Sequence, residues 1–585
     1  MRRIFLISVL CASAAWAGGD NYKNFDVAVY SRVYETKQMK DPAWLESHWE
    51  AISRYMKIDK IYLETHRDMV VVDQATLDQA KKFFLSKGVK VSGGITATIN
   101  ERNLFETYCY SDPTLRQKMK DVVEFTARNF DEIIFDDFFF TDCKSDSEIA
   151  AKGNKTWTAY RLALMDQAAR ELVLGPAKAV NPKVRVIIKY PNWYDHFQYM
   201  GFDLSVGPKL FDKIYTGTET RDAVHSNQHL QPYHGYSIFR YFKNIKPGGN
   251  AGGWVDQYGG GPQRYAEQLW ITLFAKAPEI TLFNFGTLYQ PNTPEDSRAA
   301  HTAGQVFAKV DGFLGQLGNP VGVKTYKPYN SSGEDFLPSY LGMLGIPMDI
   351  VPEFPEEAKT VLLTEQAKQD PDIVSKIKKQ LVAGKNVVIT SGLLKALQGR
   401  GIDDIVELED TGQTVAARDF FGFRLGNANK ADSDILIPLI HYATNDAWEI
   451  VSGLTSPSET SGAPVLLSAK YSKGVLYVLT VPNAIGDLYS YPPGVLNAIR
   501  DVLTRDMHVH LDAPKSVSLF VYDNDKFIVE SFQDNSVETR VLTDKRITKL
   551  RDILSGEVLT GQPQGNATVF AVPLEKASYR VFAAE

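Results

Sequence analysis

The chain has 585 residues, more than one hydrophobic core usually serves, so two or three domains are expected. A net charge of −6, with no long basic run, argues against a nucleic-acid or anionic-membrane partner. Aromatic residues make up 11% of the chain, which suits sugar sites lined by aromatic faces and large barrels alike.

The N-terminus reads Met1-Arg2-Arg3, an apolar stretch over 4–15, then Ala15-Trp16-Ala17. That is the order of a secretory signal with an A-x-A cleavage site, and the stretch is too short to span a bilayer. Residues 1–17 are expected to be removed. The mature chain, from Gly18, is then periplasmic or extracellular in a bacterium, with no transmembrane segment. Leu10, just before Cys11, is larger than lipoprotein sites prefer. Cys109 and Cys143 remain. An even pair in an exported chain invites a disulfide, with two free thiols as the alternative.

From Asn24 to about Leu317 strand and helix signals alternate. Strands are expected at Phe25–Ser31, Lys60–Glu64, Val89–Ile95, Glu132–Asp136, Val184–Lys189, Lys213–Tyr215, Ala251–Val255 and Ile280–Phe285. Helices are expected at Trp44–Tyr55, Gln74–Lys87, Pro113–Asn129, Trp157–Leu174 and Arg264–Ala277. Eight strand slots with helices between them predict an α/β fold, a (β/α)8 TIM barrel over residues 18–318. Residues 319–510 carry strands VGVKTY, MDIVPEF, TVLLTE and NVVITS. Helices are expected there at Phe336–Leu344, Pro371–Ala383 and Pro492–Arg505, with a hairpin turned at Ser472-Lys473-Gly474. This pattern predicts an open parallel sheet with flanking helices. Residues 511–585 show short alternating strands, VSLFVY, KFIVESF, ETRVLT, ATVFAV and SYRVFA, which predict a small antiparallel β-sandwich.

The chain is organised around DEIIFDDFFFTDC, Asp131 to Cys143. Ile133 to Phe135 form the apolar run of a strand buried on both faces, and Asp136 and Asp137 follow. Strand side chains alternate, so only one of the two aspartates aims with Ile134. Burying a carboxylate there is costly unless it is paired or used. Either these residues cap the next loop, or they place a working carboxylate at the C-terminal end of a barrel strand, where such barrels keep their chemistry.

Taking the other strand ends the same way collects further mouth candidates. Arg32 follows strand one, Glu64 and His66 strand two, and Tyr190, Asn192 and Trp193 strand five. Glu219, with Arg221 and Asp222, follows strand six. Trp254, Asp256, Gln257 and Tyr258 follow strand seven, and Asn284 ends strand eight. Carboxylates beside aromatics, with no metal-ligand spacing, point to glycoside chemistry, which needs only two acids around an oxocarbenium-like transition state. No H-E-x-x-H, Cys/His cluster, phosphate-binding glycine loop or G-x-S-x-G is present, so no metal or cofactor is expected. The plainer readings are an ion-paired Glu219, a structural Glu64, a hydrogen-bonded His66, and Trp193 and Trp254 packed beneath the rim.

IIFDDFFF resembles the nucleophile strand of retaining α-glycosidases related to clan D and is similar to that of family 66 dextranases. The resemblance implies an acid/base after strand six, where YTGTETRD offers Glu219. Aligning the last apolar residues puts the nucleophile on Asp136, with Asp137 holding a sugar hydroxyl or orienting its neighbour. The clan's aromatic-Lys-aromatic-Asp strand is absent, as is the Asn-Glu pair of clan A. Residues 319–510 resemble the flavodoxin-like domain that follows the barrel in family 42 β-galactosidases. Amidotransferase relatives of that domain need a cysteine, and 322–510 contain none. An accessory or oligomerisation role is implied, hence a homo-oligomer. The last domain resembles the β-sandwiches that end many glycosidases. The resemblance implies a retaining glycoside hydrolase acting on oligo- or polysaccharides or glycoconjugates, for which the leader predicts export, with a non-catalytic glycan-binding barrel as the alternative.

Overall fold

The computed structural model describes residues 22–295, 298–422, 425, 429–454 and 462–585. The leader over 1–17 lies outside the described residues.

Eight parallel strands close a ring: β1 (Asp26–Ser31), β2 (Lys60–Arg67), β3 (Lys90–Ile95), β4 (Glu132–Phe135), β5 (Arg185–Tyr190), β6 (Lys213–Gly217), β7 (Asn250–Asp256) and β8 (Glu279–Phe283). β1 pairs with both β2 and β8, which completes the barrel. Helix starts follow local rules. Asp112, for example, accepts from the amides of Thr114 and Leu115 at the head of helix Pro113–Asn129, whose first residue is proline. Such a cap contributes about 1 kcal/mol. Helices His234–Ile245 and Ala299–Leu314 complete the outer ring; no sequence signal was assigned to them.

Alternation along the strands sorts the barrel interior into layers. Tyr30, Tyr62, Ile134, Ile187, Tyr215 and Trp254 fill the middle layer. Below it Lys60 bridges Glu132 (2.9 Å) and Glu279 (2.6 Å), closing the N-terminal end with paired charges. Two residues further along each strand, the side chains that point the same way reach the C-terminal mouth.

The middle unit is one nine-stranded sheet. β9 (Val323–Tyr326), β10 (Met348–Val351), β11 (Thr360–Leu363) and β12 (Asn386–Thr390) precede β13 (Leu408–Phe421), β14 (Lys430–Tyr442), β15 (Ala447–Leu454), β16 (Ala463–Tyr471) and β17 (Gly474–Leu479). Their order is β10-β9-β11-β12-β17-β16-β15-β13-β14. The first five are parallel, the flavodoxin-like half. The other four extend it antiparallel, and three of them, β13 to β15, correspond to no strand expected from the sequence. The expected hairpin joins β16 to β17, with Ser472 at φ 54° in its turn. The C-terminal unit packs a six-stranded sheet against a four-stranded one, and Pro320–Val321 joins the larger sheet from the barrel's exit.

The units are tightly docked. Tyr233, just before helix His234–Ile245, accepts from the Met348 amide at 3.0 Å, and Arg240 pairs with Asp349 at 3.0 Å. A Cβ at Gly342 would lie 2.0 Å from the Tyr233 ring, so that contact needs glycine. Trp270 donates to Glu530 of the sandwich at 2.6 Å.

Candidate active site

The mouth of the barrel holds a cavity of about 420 Å³. Asp136, Asp137, Lys189, Glu219, Trp254 and Asp256 form its floor and walls, with Arg32, Arg67, Arg221, Tyr258 and Phe283 around them.

Asp136 stands two residues beyond Ile134 and so points inward, 3% exposed. Its Oδ2 accepts from Arg67 at 3.0 Å; its Oδ1 accepts from Lys189 at 3.3 Å and from the Asp137 amide at 2.9 Å. Burial opposes its charge, but Lys189 and Arg67 outweigh burial and hold its pKa below the ordinary carboxylate value. Asp137 meets Lys189 at 2.7 Å. Burial, only partly offset by Lys189, together with the charges of Asp136 and Glu219, pushes its pKa up to about 7. Burial likewise raises the pKa of Glu219, against Lys189 and with a contribution from Asp256.

Glu219 reaches the cavity because residue 217 is glycine. A Cβ at Gly217 would sit 2.8 Å from Glu219 Oε2 and 2.9 Å from the Asn192 amide. Glu219 Oε1 lies 3.4 Å from Lys189 Nζ, while Oε2 is buried without a hydrogen-bond partner. Burial and that orphaned oxygen both favour the neutral form of the carboxyl group, against the nearby ammonium. One ammonium therefore contacts three carboxylates, and it also lies 4.5 Å from the centre of the Trp254 ring. The contacts at 3.3 and 3.4 Å cap the distance between Asp136 Oδ1 and Glu219 Oε1 at about 6.7 Å, against 5–5.5 Å between carboxyl groups in retaining glycosidases and 6.5–9.5 Å in inverting ones.

Of the substrate contacts expected from the sequence, Arg32, Trp254, Asp256 and Tyr258 line the cavity. Trp254 is only 2% exposed and serves as floor rather than as an open stacking face. Asp256 is held bidentately by Arg221, at 2.7 and 3.1 Å. The other six stand elsewhere. Glu64 is fully buried beneath the mouth, bonded to Arg67, Tyr30, Thr96 and the Val33 amide; it fixes Arg67. His66 lies between the Thr96 carbonyl and the Tyr108 hydroxyl, and burial lowers its pKa to about 4, so it is neutral. Tyr190 points outward and stacks on Phe242. Two-residue alternation explains it: Lys189, not Tyr190, shares the inward face with Ile187. Trp193 packs among Phe140, His196 and Phe202. Asn284 caps helix Phe285–Leu288 and donates to the Tyr258 hydroxyl.

Asn192 also lies behind the lining. It donates to the Glu219 carbonyl at 2.6 Å, its own carbonyl meets His234 Nε2 at 2.8 Å, and His234 Nδ1 meets Ser339 of the middle unit at 3.1 Å. Three hydrogen bonds thus connect the Glu219 backbone to helix Leu337–Met343 of the middle unit.

Sequence reasoning passed over Lys189 and the aromatic rim. Phe105, 51% exposed, stacks on Phe138 with ring centres 5.3 Å apart at the cavity edge. A disulfide joins Cys109 to Cys143 and ties together the segments that carry those rings. Among the described residues, no group of three or more His, Cys, Asp or Glu side chains is arranged to hold a metal ion, and no helix is long and apolar enough to cross a membrane.

The barrel and its family match define the class: a glycoside hydrolase. Residues 15–313 match the family described as "Probable glycosyl hydrolase, catalytic domain", and the chain belongs to that family. Residues 318–484 match "Uncharacterized protein SSO3021, second domain", and 508–584 match "Probable glycosyl hydrolase, C-terminal domain". The uncharacterized protein SSO3021 of Saccharolobus solfataricus is 24% identical, the alignment covering 96% of this chain and 99% of that protein. Two solved β-galactosidases share the fold over 96% of this chain and 99% of their own. They are Gan42B, a GH42 enzyme from G. stearothermophilus (12% identity, TM-score 0.67), and the enzyme from Bacillus circulans sp. alkalophilus (11%, 0.62). The whole-chain likeness to GH42 enzymes agrees with the family 42 resemblance of the middle unit.

Proposed function

We propose that this chain cleaves the glycosidic bonds of oligo- or polysaccharides or glycoconjugates at the barrel mouth by double displacement. Asp136 attacks the anomeric carbon while Glu219 protonates the leaving oxygen. Glu219 then takes a proton from water, which attacks the glycosyl ester and releases the sugar and free Asp136. The observation that carries this reading is the pair of opposed protonation tendencies around one ammonium. Asp136 is held ionised, whereas Glu219 is pushed towards its acid form. Two carboxylates driven apart in this way are the usual mark of a nucleophile and an acid.

Asp137 offers a second reading of the proton donor, because its pKa of about 7 also suits general acid work. Chromogenic glycosides with good and poor leaving groups separate the two. Asp136→Asn is expected to abolish turnover. Glu219→Gln is expected to slow poor leaving groups most and to spare activated aryl glycosides. If Asp137→Asn shows that selectivity and Glu219→Gln does not, the donor is Asp137. Near-normal turnover by Asp136→Asn refutes the scheme.

The disulfide supports export to an oxidising compartment. Phe421 and Trp448, exposed on the antiparallel extension of the middle sheet, support assembly through that unit.

A further inference from the structure

A second cavity, of about 300 Å³, opens beside the first between the loop after β7 and the segment after β8. Tyr258 lines both. Where the chain leaves β7, Asp256 lines the catalytic cavity and the next residue, Gln257, lines the second one.

Three polar atoms of residues that line it have no partner. Both amide atoms of Gln257 and the hydroxyl of Tyr265 are buried without a hydrogen bond, and Tyr265 is 2% exposed. Such atoms are rare in folded proteins and mark a place where a ligand or an ordered water completes the bonding. Together they offer an amide donor, an amide acceptor and a hydroxyl able to act as either, a set that matches neighbouring sugar hydroxyls. Thr302 and Gln290 add further neutral polar groups. Among the described residues no carboxylate lines the cavity, and the charged group there is Arg298, which donates to the Thr293 carbonyl and lies over the Tyr289 ring. The volume falls at the small end of the range for ligand pockets.

We propose that this cavity is a subsite for a further neutral sugar unit, with Gln257 and Tyr265 as its recognition groups, so that the substrate is a glycan longer than one residue. The proposal rests on the glycosidase reading and deepens it. Tyr258 is the partition across which the glycan passes from one cavity to the other.

Calorimetric titration of the full-length Asp136→Asn protein with neutral gluco-, galacto- and manno-oligosaccharides of one to four residues tests this. Affinity is expected to rise at least tenfold between one residue and three in one series. Tyr265→Phe, which removes only a hydroxyl, and Gln257→Ala are each expected to weaken the three-residue ligand by roughly 3–10-fold, the range for loss of a neutral hydrogen bond. Gln290→Ala, at an exposed position, serves as a milder check, with a loss of about twofold. Affinity independent of length, binding by no member of any series, or unchanged affinity in both Tyr265→Phe and Gln257→Ala overturns the subsite. Because binding is read without turnover, these outcomes are distinct from failure of the Asp136 and Glu219 roles, which shows instead as activity retained in Asp136→Asn.

Discussion

The barrel and the middle sheet both present parallel strand ends, the place where α/β proteins bind their ligands, yet the two ends have opposite fates. At the barrel mouth, Lys189, the two aspartates and Glu219 surround an open cavity. At the middle sheet the corresponding crevice lies where strand order reverses, between β9 and β11, and barrel loops occupy it. Tyr194 reaches Gln366 at 3.0 Å, Tyr199 reaches Ser332 at 3.0 Å, and Asn330 holds Asp203 at 2.9 Å. Buried lysines show the contrast best. Lys189 contacts three carboxylates, which raise its pKa despite burial. Lys327 donates only to Ser331, and burial lowers its pKa to about 7 although Asp195 and Asp335 lie nearby. The difference teaches that a buried charge is informative through its partners: one lysine organises acids around a cavity, while the other sits in a joint.

Replacing the two lysines separates these roles. Lys189→Met is expected to cut kcat by about 10²–10³, the cost of losing a preorganised electrostatic contact, and to destabilise the barrel by leaving carboxylates buried and unpaired. Without the ammonium the pKa of Asp136 rises, so the acid limb of kcat/KM should move to higher pH. A pH profile with an unmoved acid limb would break the proposed link between Lys189 and Asp136.

The mouth is also held covalently, which the middle crevice is not. Replacing Cys109 and Cys143 together by serine is expected to cost about 4 kcal/mol in the chain-entropy description of a loop this size, read from denaturant unfolding. Turnover should fall less than in Lys189→Met, because Asp136 at the end of β4 keeps its contacts with Arg67 and Lys189 when the bridge is lost.

The smallest effect is expected for Lys327→Met, with turnover within about twofold of the parent. The sign of its stability effect depends on pH. An unfolded lysine binds its proton below about 10.4, whereas folded Lys327 does so only below about 7. Lowering the pH through that window therefore favours the unfolded parent chain. The Tm of Lys327→Met relative to the parent should rise as pH falls from 10 to 7 and level off below. A relative Tm that falls instead would show that Lys327 is charged and paired in the native protein.

Much of this was legible in the sequence where periodicity alone decides. Most of the barrel strands read as apolar runs, with the short KIY and the glycine-marked AGGWV the weakest signals, and alternation from Ile134 allowed one inward aspartate, which the structure gives as Asp136. Lys189 was missed because a lysine closing VRVIIK reads as a strand boundary, although the same alternation from Ile187 points it inward. Glu64 and Asn192 were taken for lining because residue type and strand position do not reveal which groups already have protein partners. Strand β13 escaped notice because LEDTGQTVAARDFF mixes charges and glycine with few apolar residues, whereas β14 (KADSDILIPLIHY) and β15 (AWEIVSGL) carry apolar runs that sequence reasoning passed over. Their pairing is set by the sheet they extend rather than by their own pattern.

The role of Asp136 as nucleophile is tested most directly by trapping. Glu219→Gln should be mixed with an activated 2-fluoro glycoside of a sugar the enzyme accepts, and the protein then digested and mapped by mass spectrometry. The account predicts one added glycosyl group on Asp136 in this variant, and product of retained anomeric configuration from the parent enzyme. An adduct on another carboxylate, or inverted product with no adduct, would contradict it.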